Sequence, residues 1–207
     1  MAYILGFFAA DGCITVNSRG GEYFVIQIKD LDLLMKLKEI LESDHKISKR
    51  IHLKNKGIFY RLQIGSKEIC ADLRKLGFSE NKTYCLVIPK ISDKYFRDFV
   101  RGYFDGDGNV WTGFIHKERK TKSLAIQTVF TSCSSNFLSD LKDRLSGMGI
   151  HGGNIIAKED RYYKLQYSII NSLKLYDFMY NHNIKDSQGL YLERKKKVFE
   201  KFKSMRL

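Results

Sequence analysis

From residue 2 to residue 10 the chain reads Ala-Tyr-Ile-Leu-Gly-Phe-Phe-Ala-Ala, almost without polar side chains. A helix over this stretch is apolar all round and belongs in a core. Residues 22–29 then alternate, with Phe24, Ile26 and Ile28 facing one way and Tyr23, Val25, Gln27 and Lys29 the other, which predicts a half-buried strand. Leu33, Leu34, Leu37, Ile40 and Leu41 fall at helical spacing within 30–42. Residues 58–64 alternate again, with Ile58, Tyr60, Leu62 and Ile64 inward and Phe59, Arg61 and Gln63 outward. An amphipathic helix over 67–76 stops at Gly77.

The second half repeats this order. A helix over 94–104 precedes strands near 110–116 and 123–131, and a helix over 136–148 is stopped by Gly149. Residues 162–169 alternate, with Tyr163, Leu165, Tyr167 and Ile169 on one face, and helices at 172–180 and 191–202 close the chain. Each half reads helix, strand, strand, helix, strand, strand, helix. The pattern predicts an α+β fold of two pseudo-symmetric αββαββα repeats, 1–90 and 91–207. No Pro/Gly/Ser linker separates them, and Pro89 is the only proline, so one compact domain is expected over 1–207.

Two segments repeat in detail. Gly6 lies in an apolar run that ends in Asp11-Gly12, and Gly102 lies in one that ends in Asp107-Gly108, the acids standing 96 residues apart (107 − 11). A glycine inside a helix costs about 1 kcal/mol, tolerable where two helix backbones must approach closely. Asp-Gly at the end predicts a helix stop with the glycine left-handed. It also places each carboxylate at the bottom of a buried helix, where it needs a partner or a metal. Pseudo-twofold symmetry would bring the two acids together, as metal-assisted phosphodiester hydrolysis requires.

Charge points the same way. With 36 basic against 23 acidic residues the formal net charge is +13, which favours a polyanionic partner, most often nucleic acid. No apolar run nears the roughly 20 residues that span a bilayer, and no signal segment is present. The chain is expected to be intracellular and away from membranes. Cys13, Cys70, Cys85 and Cys133 form no CxxC pair, which predicts free thiols in a reducing compartment. The five histidines are scattered, which disfavours a histidine metal site.

Polar residues also recur. Tyr60-Arg61-Leu62-Gln63 aligns with Tyr163-Lys164-Leu165-Gln166, and Gln27 aligns with Gln127. Arginine or lysine suits guanine or phosphate and glutamine suits adenine, so sheets presenting Gln27, Lys29, Arg61, Gln63, Gln127, Lys164 and Gln166 can read the major groove of double-stranded DNA.

These motifs, with Asn81-Lys82-Thr83 and Tyr191-Leu192-Glu193-Arg194-Lys195, resemble the single-chain, two-motif LAGLIDADG homing endonucleases over essentially the whole chain. The resemblance implies two four-stranded antiparallel sheets forming a DNA-binding saddle, with the motif helices at its centre. It implies a monomer that makes double-strand breaks in a long, non-palindromic site, using Mg²⁺ or another divalent cation. Asp11 and Asp107 would ligate metal, with the backbone at Ala10 and Gly106 as further ligands, and Lys82 and Lys195 would be the basic catalytic residues. For the polar residue that the family often carries after each second strand, the candidates are Asp30 and then Phe130 or Thr131.

The alternative is a regulator or RNA-splicing maturase that keeps the fold without cutting. A chain that opens on the motif itself raises the expectation of a removed upstream segment. An intein is disfavoured by the absence of a starting Cys or Ser and of a terminal His-Asn.

Overall fold

The computed structural model describes residues 1–206 apart from 52–55, 81, 117, 119, 160 and 182–188, and only the backbone of 82 and 83. The chain divides into two compact units, Met1–Gly106 and Asp107–Leu207.

The first unit runs α1 (Ala2–Asp11), β1 (Gly12–Val16), β2 (Glu22–Ile28), α2 (Leu31–Ile40), β3 (Ser48–Ile51), β4 (Ile58–Gly65), α3 (Lys67–Lys75), α4 (Lys82–Cys85) and α5 (Asp93–Asp107) up to its penultimate residue. Its antiparallel sheet has the order β1-β2-β4-β3. Phe24, Ile26, Leu62 and Ile64 turn to the helix-covered face, where the Phe8 ring stacks on Phe24 at 5.0 Å and meets Phe78 edge-on at 5.4 Å. A bidentate Arg74–Glu22 pair, with Arg74 also bonded to Glu80 at 2.6 Å, ties α3 to β2. That arrangement holds the Glu80 carboxyl below its usual range.

The second unit runs β5 (Gly108–Ile115), β6 (Ser123–Ser132), α6 (Ser135–Gly147), β7 (Asn154–Lys158), β8 (Tyr162–Tyr167), α7 (Ile169–Tyr180) and α8 (Glu193–Ser204), with strand order β5-β6-β8-β7. Its core centres on Phe130, Phe137, Leu165, Met179 and Phe199. Ser172 on α7 joins helix to sheet, its Oγ accepting from Thr128 N–H and donating to the Tyr167 carbonyl, both at 3.0 Å.

Local chemistry sets the helix ends. Ser66 and Ser134 cap α3 and α6 with their side-chain oxygens. Gly77 and Gly149 follow those helices at φ +91° and +82°, the left-handed positions the sequence predicts. Three expectations need correction. Val25 is buried although it points away from the helices, because it lies on a central strand between Cys13 and Gln63. Ile169 opens α7 and does not extend β8. Gly12 is extended, at φ −90° and ψ 162°, and Gly108 is not among the glycines of positive φ, because each motif runs straight into a strand without a turn.

Candidate functional site

Within the first unit, α1 and α5 meet backbone to backbone. A methyl built on Gly6 would collide with the Phe99 carbonyl and lie 2.9 Å from Tyr103 N; one on Gly102 would collide with the Tyr3 carbonyl and lie 2.8 Å from Phe7 N. The two collisions mirror each other, three residues back and one forward on the facing helix, as a twofold crossing demands. One turn further on, a methyl on Gly106 would strike Ala10 and come within 3.1 Å of Asp11 Oδ2. Gly106 therefore leaves room for the Asp11 carboxylate. Gly12 has its own reason to be glycine, since a methyl there would enter the Phe8 ring.

The mirror symmetry breaks at one point. Tyr3 Oη donates to Asp105 Oδ2 at 2.7 Å, and the Arg101 guanidinium lies over the Tyr3 ring at 5.4 Å. By the 96-residue offset the matched pair is Phe99 and Ala9, which is wholly apolar and buried. Arg101 and Asp105 are themselves only 1% exposed, and Arg101 also bonds Asp98 at 2.6 Å. A buried hydrogen bond to a carboxylate contributes about 1.5–3 kcal/mol. Tyr3→Phe and Asp105→Ala should each destabilise the protein, and the double variant, which copies the apolar pair, should cost less than their sum by about that amount. Urea unfolding of the four proteins measures this; strict additivity would remove the hydrogen bond from the energetics.

Asp11 and Asp107 are the last residues of α1 and α5, and both are exposed. Each stands at the end of a covered helical stretch, as the sequence predicts: α1 and residues 96–106 of α5 are covered, and both helices surface at their C-terminal ends. Neither helix carries a basic residue in its last turn. The C-terminal end of a helix dipole is negative and favours a cation. Among the described residues no three His, Cys, Asp or Glu side chains form a ready metal cluster. Two separate carboxylates at helix ends fit a hard ion that takes one or two protein oxygens and completes its shell with phosphate and water.

Lys195 is buried at 7% exposure on α8, and its Nζ donates to the carbonyl of Gly108, the residue after Asp107, at 2.6 Å. Its basic neighbours are engaged differently: Lys196 pairs with Glu200 and lies over the Tyr191 ring, and Lys197 faces Glu193. Lys82 opens α4, and its side chain lies outside the described residues.

The predicted reading residues lie on the outward sheet faces. In the first unit Gln27 stands directly opposite Arg61, Gln63 opposite Val25, and Lys29 Nζ lies 5.3 Å over the Phe59 ring. In the second, Lys164 stands opposite Thr131, Gln166 opposite Val129, and Gln127 opposite Trp111. The registers therefore equate Val25 with Val129 and Gln27 with Thr131, not with Gln127. Gln127 matches Tyr23 (each two residues before the valine), because the β5–β6 hairpin is longer than β1–β2. The same shift equates the helix-capping positions Asp30 and Ser134, so neither Phe130 nor Thr131 answers to Asp30. Sequence reading also misses Ser48 and Arg50 on β3, which share the face of Arg61 and Phe59, and Asn154 and Lys158 on β7. Every residue of β3 is exposed and only Ile155 of β7 is partly covered, so neither strand leaves a hydrophobic trace.

Residues 1–77 match the family model of the LAGLIDADG-like domain. That match lies within the first half of the chain. Solved meganuclease structures share the fold of both halves. The meganuclease I-AabMI bound to uncleaved DNA superposes with a TM-score of 0.61 at 16% identity, covering 98% of this chain and 88% of that one. I-SmaMI bound to an uncleaved DNA target with calcium ions gives 0.62 at 13% identity, covering 98% and 97%. Among curated proteins, the replication factor C small subunit of Methanocaldococcus jannaschii is 28% identical over 148 residues, 70% of this chain and 8% of that protein. The chain thus spans a small fraction of that relative's length. No helix among the described residues is long and apolar enough to cross a membrane.

Proposed function

We propose that this chain is a monomeric homing endonuclease that makes metal-dependent double-strand breaks in a long, non-palindromic DNA site. One observation carries the reading most: two glycine-bearing helices each end in an exposed aspartate that leads directly into the first strand of a four-stranded sheet with a polar outward face. The net charge of +13 and the DNA-bound state of the structurally similar meganucleases support duplex DNA as partner. Four free cysteines fit a reducing intracellular compartment.

In this reading Asp11 and Asp107 supply the protein carboxylates for Mg²⁺ or another divalent cation, and the backbone at Ala10 and Gly106 borders them. When bound, such a cation polarises the scissile phosphate, activates a water and stabilises the leaving 3′ oxygen. Lys195 fixes the peptide after Asp107 through its bond to Gly108 and adds positive charge behind it, and Lys82 is the corresponding basic residue of the first repeat. Gln27, Lys29, Arg61 and Gln63 read one half-site; Gln127, Lys164 and Gln166 read the other. The opposed pair Gln27–Arg61 has Thr131–Lys164 as its counterpart, so the half-sites differ. Two groove-tracking sheets cover about two helical turns, roughly 20 base pairs.

Selection of cleaved sequences from a random or genomic library identifies the target. A plasmid carrying it should be linearised with Mg²⁺ and left intact with EDTA. For six to ten phosphate contacts, affinity should fall by about 10³- to 10⁵-fold between about 50 and 200 mM salt. Specific binding without cleavage would favour the regulator or maturase reading, and a flat salt response would overturn the binding mode.

A further inference from the structure

Trp111 is the only tryptophan in the chain, and it is 46% exposed in the middle of β5. Its register partner is Gln127, so it shares the outward face with Lys164 and Gln166. Two residues further along the same face is Gly113, where a methyl would lie only 2.6 Å from the indole Cζ2. The indole therefore lies along the strand over a glycine that leaves it room. Val129 and Ala125, its diagonal neighbours on β6, are buried although they face outward. The result is a flat apolar plate beside the Gln127 amide, on the face that also carries Gln166 and Lys164. At the matched register position the first unit carries Thr15, which faces Tyr23 as Trp111 faces Gln127. The plate belongs to one half only.

We propose that Trp111 is a specificity-determining residue that packs on the C5-methyl group of a thymine in the major groove of one half-site. The proposal rests on the DNA-reading function above. The chemistry follows from what that groove offers. Thymine is the one natural base that presents an apolar group there, and it is read by apolar side chains. Gln127 beside it, and Gln166 and Lys164 further along the same face, suit phosphate or neighbouring base edges, which keeps the plate over the groove rather than over another protein's apolar surface.

The test uses the full chain and its selected target. Each thymine of one half-site is replaced in turn by deoxyuridine, which removes only the methyl. Affinity is measured for the native protein and for Trp111→Thr, which carries the residue of the other half and introduces a β-branched side chain that suits the strand. The native protein should lose about four- to tenfold at one or two positions, the worth of a methyl taken out of water, and Trp111→Thr should show no loss there. Gly113→Ala, which displaces the indole without removing it, should flatten the same positions. Because no other tryptophan contributes, saturating target DNA should change the intrinsic fluorescence, and the uridine-substituted target should change it less. The same uridine profile in native and variant proteins, with salt-sensitive specific binding intact, overturns the proposal and leaves the DNA-reading function standing. At the sensitive position a 5-methylcytosine–guanine pair should bind more tightly than a cytosine–guanine pair, from which it differs only by the methyl; equal affinity of the two would also overturn a methyl-directed role. Absence of any specific DNA binding by the native protein would overturn the underlying function and this inference with it.

Discussion

Asp11→Asn and Asp107→Asn are each expected to lower double-strand cleavage by about 10³-fold or more while leaving specific binding largely intact. Each substitution keeps the shape of the side chain and removes the charge that would hold a divalent cation against the phosphate. Electrostatic stabilisation of the developing charge is usually the largest single contribution to such a reaction, and losing one element of it costs orders of magnitude. Binding is spared because both aspartates are exposed at helix ends, so no buried charge is stranded, and removing a negative charge beside the phosphates lessens repulsion. Single-turnover cleavage with Mg²⁺, and gel-shift affinity with the metal omitted, separate the two effects. Near-native cutting by either variant would overturn the assignment of that residue.

The second large effect is on stability. Gly6→Ala and Gly102→Ala should each cost about 3 kcal/mol or more. The added methyl meets the backbone of the facing helix, with Phe99 O and Tyr103 N at one site and Tyr3 O and Phe7 N at the other. Backbone cannot rotate aside as a side chain can, so α1 and α5 must separate and disturb the packing of the buried Phe7, Phe8, Tyr103 and Phe104 that they carry. For a chain of this size the melting temperature should fall by roughly 6–12 °C. Gly147→Ala supplies the control. That glycine closes α6 with nothing within 4 Å of an added methyl, so the same change should stabilise by about 0.4–1 kcal/mol. Similar melting temperatures for all three variants would show that the close approach of the helices carries no energetic weight.

What could be read along the chain is what neighbouring residues decide among themselves. The apolar run of α1 and the alternation of β2, β4 and β8 report burial with a fixed period. Glycine after α3 and α6 reports a helix end. The two Gly-bearing runs with their Asp-Gly ends predict the close helix pair, and the structure supplies the reason, since every side chain at those glycines would enter facing backbone.

Other features depend on residues far apart in sequence. The edge strands β3 and β7 are held by backbone pairing and bury almost nothing, so no periodicity marks them. The equivalence of Gln27 with Thr131 follows from strand register, which the longer β5–β6 hairpin shifts away from simple alignment. Arg101 and Asp105 look like misplaced charges in an apolar helix until Tyr3, about a hundred residues away, is seen against both. Four consecutive basic residues from Arg194 to Lys197 are equivalent as sequence, and only the packing of α8 on β5 selects Lys195 to reach Gly108. Sequence by itself determined the longer helices, the strands β2, β4, β5, β6 and β8, and the repeated acids, because helix and strand propensity act over a few residues. Tertiary structure alone decided exposure, register and side-chain partners, because those depend on distances between segments that no local pattern encodes.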